Sequence, residues 1–419
     1  MSPRAMLSTP LAPAPGRFLH LIHDEKFIEA ARGIFEEAAP GAHDFLVIGG
    51  SAPLRHIRTF APARLELDAA LRRAFLSELP LYAAVFVHYL GEPARLIVAR
   101  APSSTRFVWL GWGADYYHLI ASPEELLLPR TRSLVAELAA RLPAPPGRAA
   151  AVMGHAAGLL RAATQPLAAL RRFRTRRTLR RIGPGAPGEA ALVNTFHAVA
   201  MPIEEDYAAM RARQPLLRVP FLHWNYWTEG FRAHAAAGAP SGNNILLGNS
   251  ATPAGNHLDA LERLCDILPP GRAVICPLSY GDARYGDAVE EAGRRLLGSR
   301  FIALRDYMDP AAYSEVIASC SIVLMNHVRQ QALGNIILAL SMGAHVFLHA
   351  KNPIQAAMRR LGVPVHDIDR LAGFMHQGEP AVGETELQSR RSRLEDAFGR
   401  PAILRRTHSL LGELRQGAA

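Results

Sequence analysis

The sequence is poor in lysine and in cysteine. Of its 47 basic residues only Lys26 and Lys351 are lysines, so arginine carries nearly all of the formal net charge of +10. Because the forked guanidinium suits phosphates and diphosphates, an anionic partner is one explanation, and a GC-rich genome that encodes arginine in place of lysine is the other. The three cysteines, Cys265, Cys276 and Cys320, form no close pair and no metal-like spacing, which excludes a disulfide framework and is typical of a reduced cytoplasmic protein.

Long apolar runs are also missing. No segment reaches about 18 uninterrupted apolar residues, so we expect no transmembrane helix. Residues 1–16 contain prolines and only a broken apolar run, which makes them a poor signal peptide and predicts a flexible leader. With 419 residues, 49% of them hydrophobic, the rest of the chain has enough apolar material for two or three packed domains.

Several motifs of nucleotide binding and catalysis are absent. No Gly-x-Gly-x-x-Gly follows the first predicted strand, and the Ile-Gly-Gly-Ser at 48–51 is a poor substitute, which disfavours a nicotinamide dehydrogenase. There is no Walker lysine motif and no Gly-x-Ser-x-Gly elbow of a hydrolase. An Asp-x-Asp motif is missing from the plausible loops, so we expect neither a metal nor a cofactor.

The chain does contain a regular alternation of short apolar runs and helical stretches. Phe18–Ile22 and Phe45–Ile48 read as strands with a helix between them, which is the rhythm of βαβ units and a parallel sheet. After an irregular region the rhythm restarts at Ile245–Leu247. We therefore predict an α/β fold of two domains with a boundary near residues 230–242.

The first half also contains a dense basic segment. Residues 167–181 read as a helix in which Leu167, Leu170 and Phe173 share one face, and arginines crowd the stretch from Arg171 to Arg181. A basic amphipathic helix of this kind favours anionic lipid headgroups. The alternatives are a solvated helix face or a nucleic-acid patch.

Polar residues gather in the loops that follow the predicted strands. In an open parallel sheet, ligands bind beyond the carboxyl ends of the strands, so these loops predict a binding site. The first such loop of the second half is Gly248-Asn249-Ser250, followed by Asn256 and His257. Its backbone N–H groups would suit a phosphate. The alternative is an ordinary helix cap, which uses the same residue types. The further candidates in the second half are Ser279, Tyr280, Tyr307, His327, Arg329, Gln330, Gln331, Gly334 and Asn335.

At these loops the sequence resembles a known family, the bacterial 4-acetamido-4,6-dideoxy-galactose (Fuc4NAc) transferases of enterobacterial common antigen synthesis. The family is also called 4-alpha-L-fucosyltransferase, or glycosyltransferase family 56. The matching text is WLGWGADY at 109–116, ILLGNSATPAGNHLD at 245–259, VICPLSYG at 274–281 and RQQALGNIILALSMG at 329–343. The matches keep their order along about three quarters of the chain.

The resemblance implies a GT-B architecture, in which two Rossmann-like domains face each other across a cleft. Residues 17–235 would form the acceptor domain and residues 236–419 the nucleotide-sugar domain, and we leave open that the last helix returns to the first domain. The resemblance further implies an inverting, metal-independent transfer of a dTDP-activated amino sugar to an undecaprenyl-diphosphate saccharide. Such an enzyme would work as a peripheral protein at the cytoplasmic face of a bacterial inner membrane, in surface polysaccharide synthesis.

An inverting transfer needs a base that takes the proton of the acceptor hydroxyl. Asp115 is one candidate, because it ends the Gly-Trp-Gly-Ala-Asp turn that also presents Trp112 and Gly113 to ligand. Asp24 and the neighbouring His23, which follow the first strand, are the others. Each carboxylate has a structural alternative as the cap of the helix after it.

The transfer also needs groups that stabilise the departing nucleotide diphosphate as its charge grows. The preferred donors are Arg329, Gln330, Gln331 and the amides at Gly334 and Asn335, with Asn249, Ser250 and Tyr280 lining the cleft. His257 and His327 are candidates for ligand contact, and the alternative for each is a structural hydrogen bond.

Two other classes of protein share parts of this pattern. A GT-B-like sugar-nucleotide epimerase would have the same diphosphate loops but would need no membrane surface. A basic membrane-binding or nucleic-acid-binding scaffold would keep the fold without catalysis, but the polar residues gather at strand ends and not along one basic face, so we expect no nucleic-acid partner. Trp224, Tyr226 and Trp227 either stack on sugar or pack a domain interface.

Overall fold

The computed structural model describes residues 11–49, 52–141, 175–226 and 240–416, and within these ranges the strands form two parallel sheets. The strands of the first sheet are β1 (Phe18–Ile22), β2 (His43–Ile48), β3 (Ala63–Leu65), β4 (Ala84–His88), β5 (Phe107–Leu110), β6 (Ala198–Ala200) and β7 (Phe221–Leu222). Those of the second sheet are β8 (Asn244–Leu247), β9 (Val274–Pro277), β10 (Phe301–Leu304), β11 (Cys320–Met325), β12 (His345–Leu348) and β13 (His366–Asp367).

Helices connect these strands. In the first half they are α1 (Phe27–Ala38), α2 (Leu67–Ala70), α3 (Arg73–Leu76), α4 (Glu92–Val98), α5 (Pro129–Ala140), α6 (Glu189–Val193) and α7 (Glu204–Arg213). In the second half they are α8 (His257–Ile267), α9 (Ala283–Leu297), α10 (Pro310–Ala318), α11 (Leu333–Ser341), α12 (Pro353–Leu361), α13 (Leu371–Gln377), α14 (Glu384–Phe398) and α15 (Arg400–Gln416). No helix of the described ranges is long and apolar enough to cross a membrane.

Both sheets are doubly wound. Their strand orders are β3-β2-β1-β4-β5-β6-β7 and β10-β9-β8-β11-β12-β13, so the direction of winding reverses between β1 and β4 in one sheet and between β8 and β11 in the other. At such a switch point the loops on either side diverge and leave a crevice at the carboxyl edge of the sheet. Each domain therefore has one preferred place for a ligand.

Two helices pack on the domain formed by the other half of the chain. Leu134, Val135 and Leu138 of α5 pack on the core of the second domain, although α5 lies in the sequence of the first. Asp259 anchors the start of α5 by accepting hydrogen bonds from the backbone N–H groups of Arg130 and Thr131, both at 3.0 Å. The second domain thus takes a helix from the first half of the chain.

The last helix makes the reverse exchange. Ile403, Leu410 and Leu411 of α15 pack with Phe35 of α1 in the core of the first domain. Thr407 of α15 accepts a hydrogen bond from the indole Nε1 of Trp224 at 2.9 Å, and Trp224 is buried, so this residue packs a helix interface. Each domain therefore holds a helix that comes from the other half of the sequence.

Part of the basic segment 167–181 and most of the expected domain boundary near 230–242 lie outside the described residues, as does Trp227. Residues 175–182 are helical. The arginines of this stretch, Arg176, Arg177, Arg180 and Arg181, are exposed.

A chain of buried histidines crosses the first sheet. His20 of β1 contacts Nε2 of His88 on β4 through its Nδ1 at 2.9 Å, and Nδ1 of His43 on β2 through its Nε2 at 3.0 Å. Nδ1 of His88 lies 2.7 Å from the hydroxyl of Tyr226. Burial lowers the pKa of His88 to about 3 and that of His43 to about 4, so these imidazoles are neutral at physiological pH.

A buried ion pair ties α4 to α6. Nη1 of Arg95 lies 2.7 Å from a carboxylate oxygen of Glu189, and both side chains are almost completely buried. Arg95 also donates to the backbone carbonyls of Leu90 and Ile182, at 3.2 and 2.9 Å. Burial raises the pKa of Glu189, but His118, Arg95 and the backbone of Gly185 outweigh it, so the carboxylate stays charged.

We predict that Arg95→Met lowers the free energy of unfolding by about 3 to 5 kcal/mol, because it leaves the Glu189 carboxylate buried without its cation. The exposed pair Arg294–Glu290 on α9 provides the control, and Arg294→Met should cost less than about 0.5 kcal/mol. Both variants can be compared with the parent protein by urea unfolding. Equal losses for the two variants would contradict a structural role for the buried pair.

Candidate functional site

The switch point of the first sheet is built by the loops after β1 and β4. His23 follows β1, and its half-buried ring lies edge-on to the ring of Tyr89 after β4, with centroids 5.5 Å apart. Tyr89 has a φ of 73°, in the left-handed region that costs a residue other than glycine energy. Backbone strain at this strand end is typical of a functional site.

The ring of Trp112 packs beside His23 and Tyr89. Its ring lies 5.4 to 6.4 Å from those of His23, Phe27, Tyr89 and Tyr226. The five rings form an aromatic wall beside the switch point, and His23 is its titratable nitrogen base. Burial lowers the pKa of His23, although the charge of Asp115 and a backbone hydrogen bond at Tyr89 oppose the shift, so the ring is unprotonated at neutral pH.

The other two candidate bases have their oxygens committed to backbone and side-chain donors. Asp115 is buried; Oδ2 accepts from the backbone N–H of Leu90 at 2.8 Å and from the indole of Trp109 at 2.7 Å, and Oδ1 accepts from the N–H of Trp112 at 2.8 Å. Burial raises the pKa of Asp115, and these hydrogen bonds offset only part of that rise. The geometry of Asp115 is that of a group that shapes the turn.

The carboxylate of Asp24, in the loop after β1, is likewise occupied by backbone hydrogen bonds. Its carboxylate accepts from the backbone N–H groups of Arg55, His56 and Ile57 at 2.6, 2.9 and 3.0 Å. Partial burial raises the pKa of Asp24, but the three backbone bonds outweigh it and the pKa is lowered. Asp24 therefore holds the segment 55–57 against the end of β1.

The switch point of the second sheet brings three loops together. Nε2 of Gln331 lies 3.1 Å from Oδ1 of Asn249 and 3.5 Å from the hydroxyl of Ser250. Asn249 in turn donates through Nδ2 to the hydroxyl of Tyr280 at 2.8 Å, and Tyr280 is 52% exposed. The loops after β8, β9 and β11 thus form one polar wall, and α11 begins directly behind it.

The start of α11 is open. Ala332 precedes the helix with a φ of 60° and provides no side-chain cap, so the first-turn N–H groups are not satisfied by a capping side chain. Gly334 is exposed on this first turn, whereas Nδ2 of Asn335 donates to the hydroxyl of Tyr313 at 2.9 Å. This first turn begins two residues after Gln331 in the same loop.

The two candidate histidines are buried behind these loops. His257 is fully buried, with Nδ1 3.1 Å from the hydroxyl of Tyr285, and burial lowers its pKa to about 4. The ring of His257 fills the space that a Cβ at position 248 would need, and Gly248 has a φ of +69°. Both the close contact and the backbone conformation favour glycine here. His327 is likewise fully buried, and burial lowers its pKa to about 3.

Asn256 has a different role from the one expected. It adopts a left-handed conformation with a φ of 51°, accepts from the backbone N–H of Leu128 at 2.8 Å, and donates to the carbonyls of Leu126 and Asn326. It therefore fastens the segment before α5 to the second domain. Ser279 is half-buried after β9, and Tyr307, which is 83% exposed, follows β10 at the edge of the sheet.

The loops after β5 and β11 meet in a contact between the domains. The backbone N–H of Gln330 donates to the hydroxyl of Tyr117 at 2.6 Å, and that hydroxyl donates to Oδ1 of Asp206 at 2.7 Å. Tyr116 donates to the other oxygen of Asp206 at 2.7 Å. The guanidinium of Arg329 lies over the ring of Tyr117, 4.2 Å from its centroid.

Gly113 lies at the same interface. Its φ is +94°, and a Cβ at this position would lie 3.0 Å from Nη2 of Arg329. Glycine is therefore favoured twice, by its conformation and by the close approach of the other domain. Tyr117 and Asp206 were not among the candidates from the sequence; the only signal for Tyr117 is its place two residues after the Gly-Trp-Gly-Ala-Asp turn.

A pocket of about 450 Å³ opens between the domains beside this contact. Its lining includes Tyr117 and Asp206 from the first domain and Val328, Lys351 and Pro353 from the second. Val328 follows β11, and Lys351 and Pro353 follow β12, so the pocket continues from the polar wall along the carboxyl edge of the second sheet.

Comparison with known families gives a match within the second half of the chain. The model of the family described as 4-alpha-L-fucosyltransferase, glycosyl transferase group 56, matches residues 225–373. The match includes the loops after β8, β9 and β11 that form the polar wall, and it confirms the resemblance that the motifs carry.

Solved structures extend the likeness to the whole chain. A sucrose-phosphate synthase from Thermosynechococcus elongatus is 12% identical, with a TM-score of 0.57 over 96% of this chain and 99% of that one. An E. coli trehalose-6-phosphate structure with bound UDP-2-fluoro glucose is also 12% identical, with a TM-score of 0.57 over 96% of this chain and 99% of that one. An Anabaena protein in complex with UDP and glucose is 12% identical, with a TM-score of 0.56 over 95% of this chain and 99% of that one. The predicted α/β fold of two Rossmann-like domains is confirmed.

We predict that Asp206 makes the stability of the protein depend on pH. Burial raises the pKa of Asp206 to about 6, although its two tyrosine hydrogen bonds lower it. Because the pKa in the folded state lies above the unfolded value of about 3.9, the folded state binds more protons between these two values, and stability rises as the pH falls through 6. The parent protein should gain about 1 kcal/mol relative to Asp206→Asn between pH 7 and pH 5.

Urea unfolding of both proteins at the two pH values checks this prediction. Other titrating groups act equally in the two proteins, so their contribution cancels in the difference. A difference that does not change with pH, or that moves the other way, would show that Asp206 is already charged at pH 5.

Proposed function

We propose a donor, an acceptor and a base for this chain, which is a glycosyltransferase of the GT-B fold whose second domain matches the 4-alpha-L-fucosyltransferase family. The donor is a dTDP-linked deoxyamino sugar such as Fuc4NAc, and the acceptor is a polyprenyl-diphosphate-linked saccharide. The transfer inverts the anomeric centre without a metal ion. The protein works at the cytoplasmic face of a bacterial inner membrane, in the synthesis of a surface polysaccharide.

The polar wall at the second switch point is the observation that carries this proposal. The half-buried Gln331 and the exposed Tyr280 line the crevice and are held by the buried side chains of Asn249 and Ser250. The uncapped first turn of α11 adds backbone N–H groups with the positive end of the helix dipole. Arg329 supplies a guanidinium from the same loop. These donors suit a diphosphate whose charge grows as the sugar departs.

The pocket beside the wall suits the nucleoside. Its volume of about 450 Å³ lies within the range of small-molecule sites, and its lining is mostly apolar with a few polar groups. A base placed between Val328 and Pro353 would continue directly into a diphosphate at Gln331. The E. coli and Anabaena structures, whose titles name bound UDP-2-fluoro glucose and bound UDP with glucose, support a nucleotide donor.

His23 is the base in this proposal. Its ring is unprotonated at neutral pH, half-exposed, and placed at the first switch point opposite the donor wall. Asp24 and Asp115 hold backbone groups in place and would have to abandon several hydrogen bonds to accept a proton. The acceptor hydroxyl would therefore lie against His23, with its sugar ring on Trp112.

The acceptor's location at a membrane is supported by charge alone. The exposed arginines of residues 175–182 give the first domain a cationic surface, which anionic headgroups and a diphosphate-linked lipid would both favour. Incubation of the donor nucleotide-sugar without any acceptor separates this function from an epimerase, because an epimerase would convert the sugar alone.

The first test is the thermal stability of the protein in the presence of dTDP, UDP, GDP and ADP. A ligand at 100 times its dissociation constant adds about 2.7 kcal/mol to folding stability, so dTDP or UDP should raise the melting temperature selectively. Arg329→Ala should abolish this shift, because the guanidinium is lost from the diphosphate crevice.

Arg211→Ala is the matched control. Arg211 also lies over a tyrosine ring, 5.9 Å from the centroid of Tyr207, but on the surface helix α7. Its variant should keep the full shift. The proposed donor site would be wrong if no nucleotide shifted the parent protein, or if Arg329→Ala responded as the parent does.

The second test concerns the base. His23→Gln should lower kcat by about 10² to 10⁴-fold, the usual contribution of a general base, and leave the dissociation constant of dTDP within about twofold. Because the pKa of His23 is lowered, kcat/KM of the parent should stay level from pH 8 to about 6.5 and fall only below that.

His56→Gln provides the control, since His56 is exposed on the segment that Asp24 holds. A large loss of kcat in His56→Gln, or none in His23→Gln, would assign the base to another group.

A further inference from the structure

The two lysines of this arginine-rich chain both lie at the crevice between the domains. Lys351 lines the interdomain pocket after β12. Lys26 follows β1, next to the first switch point. Whatever favours arginine elsewhere in the sequence, an ammonium group is kept at these two places. An ammonium is a compact point charge on a flexible stem, which suits a group that must reach a phosphate and release it.

Lys26 occupies a position that local electrostatics disfavours. Lys26 is the N-cap residue, directly before the first residue of α1. Its φ is −56° and its ψ is −22°, and its side chain makes no capping hydrogen bond. The amino end of a helix carries a partial positive charge, so a cation there is repelled and Ser, Thr, Asp or Asn would be preferred. A residue that departs from this local preference points to a role beyond the fold.

The ammonium of Lys26 reaches across to the second domain. Its Nζ lies 5.3 Å from the ring centroid of Phe27 and 5.4 Å from that of Tyr280. Within the ranges that the structure describes, this ammonium has no carboxylate or other hydrogen-bond partner. Lys26 is exposed, so its ammonium rests between solvent and the faces of two aromatic rings.

Tyr280 connects this ammonium to the polar wall. The tyrosine hydroxyl accepts from Asn249, and Asn249 accepts from Gln331. Lys26 thus stands on the first-domain side of the groups that carry the proposed diphosphate site. Arg329, the other cation at this wall, lies over Tyr117 and donates through Nε to the carbonyl of Gln330 in its own loop.

We infer that Lys26 leaves the ring of Tyr280 when the donor binds and places its ammonium on the diphosphate. This inference rests on the proposed function and adds a residue of the acceptor domain to the donor site. A cation on an exposed ring is held weakly, whereas an ammonium on a phosphate oxygen makes charge-assisted hydrogen bonds, so the exchange is favoured. The bound diphosphate then links the two domains, and Lys26 selects for a diphosphate over a nucleoside.

The test is the dissociation constant of dTDP and of thymidine, measured by calorimetry for the parent protein and for Lys26→Met. Loss of a charge-assisted contact should weaken dTDP by about 10 to 100-fold. Thymidine, which has no phosphate, should bind the two proteins equally within about twofold. Lys26→Arg keeps the positive charge and should recover most of the affinity for dTDP.

Arg32→Met is the matched control, because Arg32 lies on the same helix with its guanidinium over an aromatic ring, 4.7 Å from the centroid of Phe60. It should leave the affinity for dTDP unchanged. Equal binding of dTDP by Lys26→Met and the parent would overturn the inference, and so would an equal loss for thymidine, which would show a structural role. If the parent protein binds neither dTDP nor UDP, it is the proposed function that fails.

Discussion

The spacing of the two domains depends on the hydroxyl of Tyr117. It accepts a hydrogen bond from the backbone of Gln330 and donates one to the buried carboxylate of Asp206, so a single oxygen joins the strand-end loops of both sheets. With this contact made, Arg329 lies over the tyrosine ring and within reach of Gly113. The ion pair between Arg360 of the second domain and Glu205 of the first adds a further link across the same interface.

The exchange of helices supports the same arrangement from the outside. Asp259 and Asn256 hold the start of α5 on the second domain, and α15 packs on α1 of the first. The chain before α5 and the junction of α14 with α15 are therefore two of the places where it passes from one domain to the other. If the domains move relative to each other, each exchanged helix moves as part of the domain that holds it.

The fold was predictable from the sequence, because parallel strands buried on both faces read as short apolar runs separated by helices. The residues at the polar wall were accessible for the same reason, since Asn249, Tyr280 and Gln331 directly follow such runs. The parts that could not be predicted depend on contacts between distant residues. Asp24 is held by amides about 30 positions away, and Tyr117 meets Asp206 across 89 positions. Similarly, α5 has an apolar face that would suit either core, and its place on the second domain depends on contacts with distant residues such as Asp259.

The buried histidines behind the aromatic wall have a further property that follows from their bonding. His20 and His88 each use both ring nitrogens, and each neutral ring carries one proton, so choosing the tautomer of one ring determines the tautomer of the next. If the hydroxyl of Tyr226 donates to His88, the protons of all three rings sit on Nε2; if it accepts, all three sit on Nδ1. The array has two self-consistent states and reverses as a unit. The direction of one O–H bond at the cleft is thereby coupled through β4 and β1 to the ring of His43 on β2.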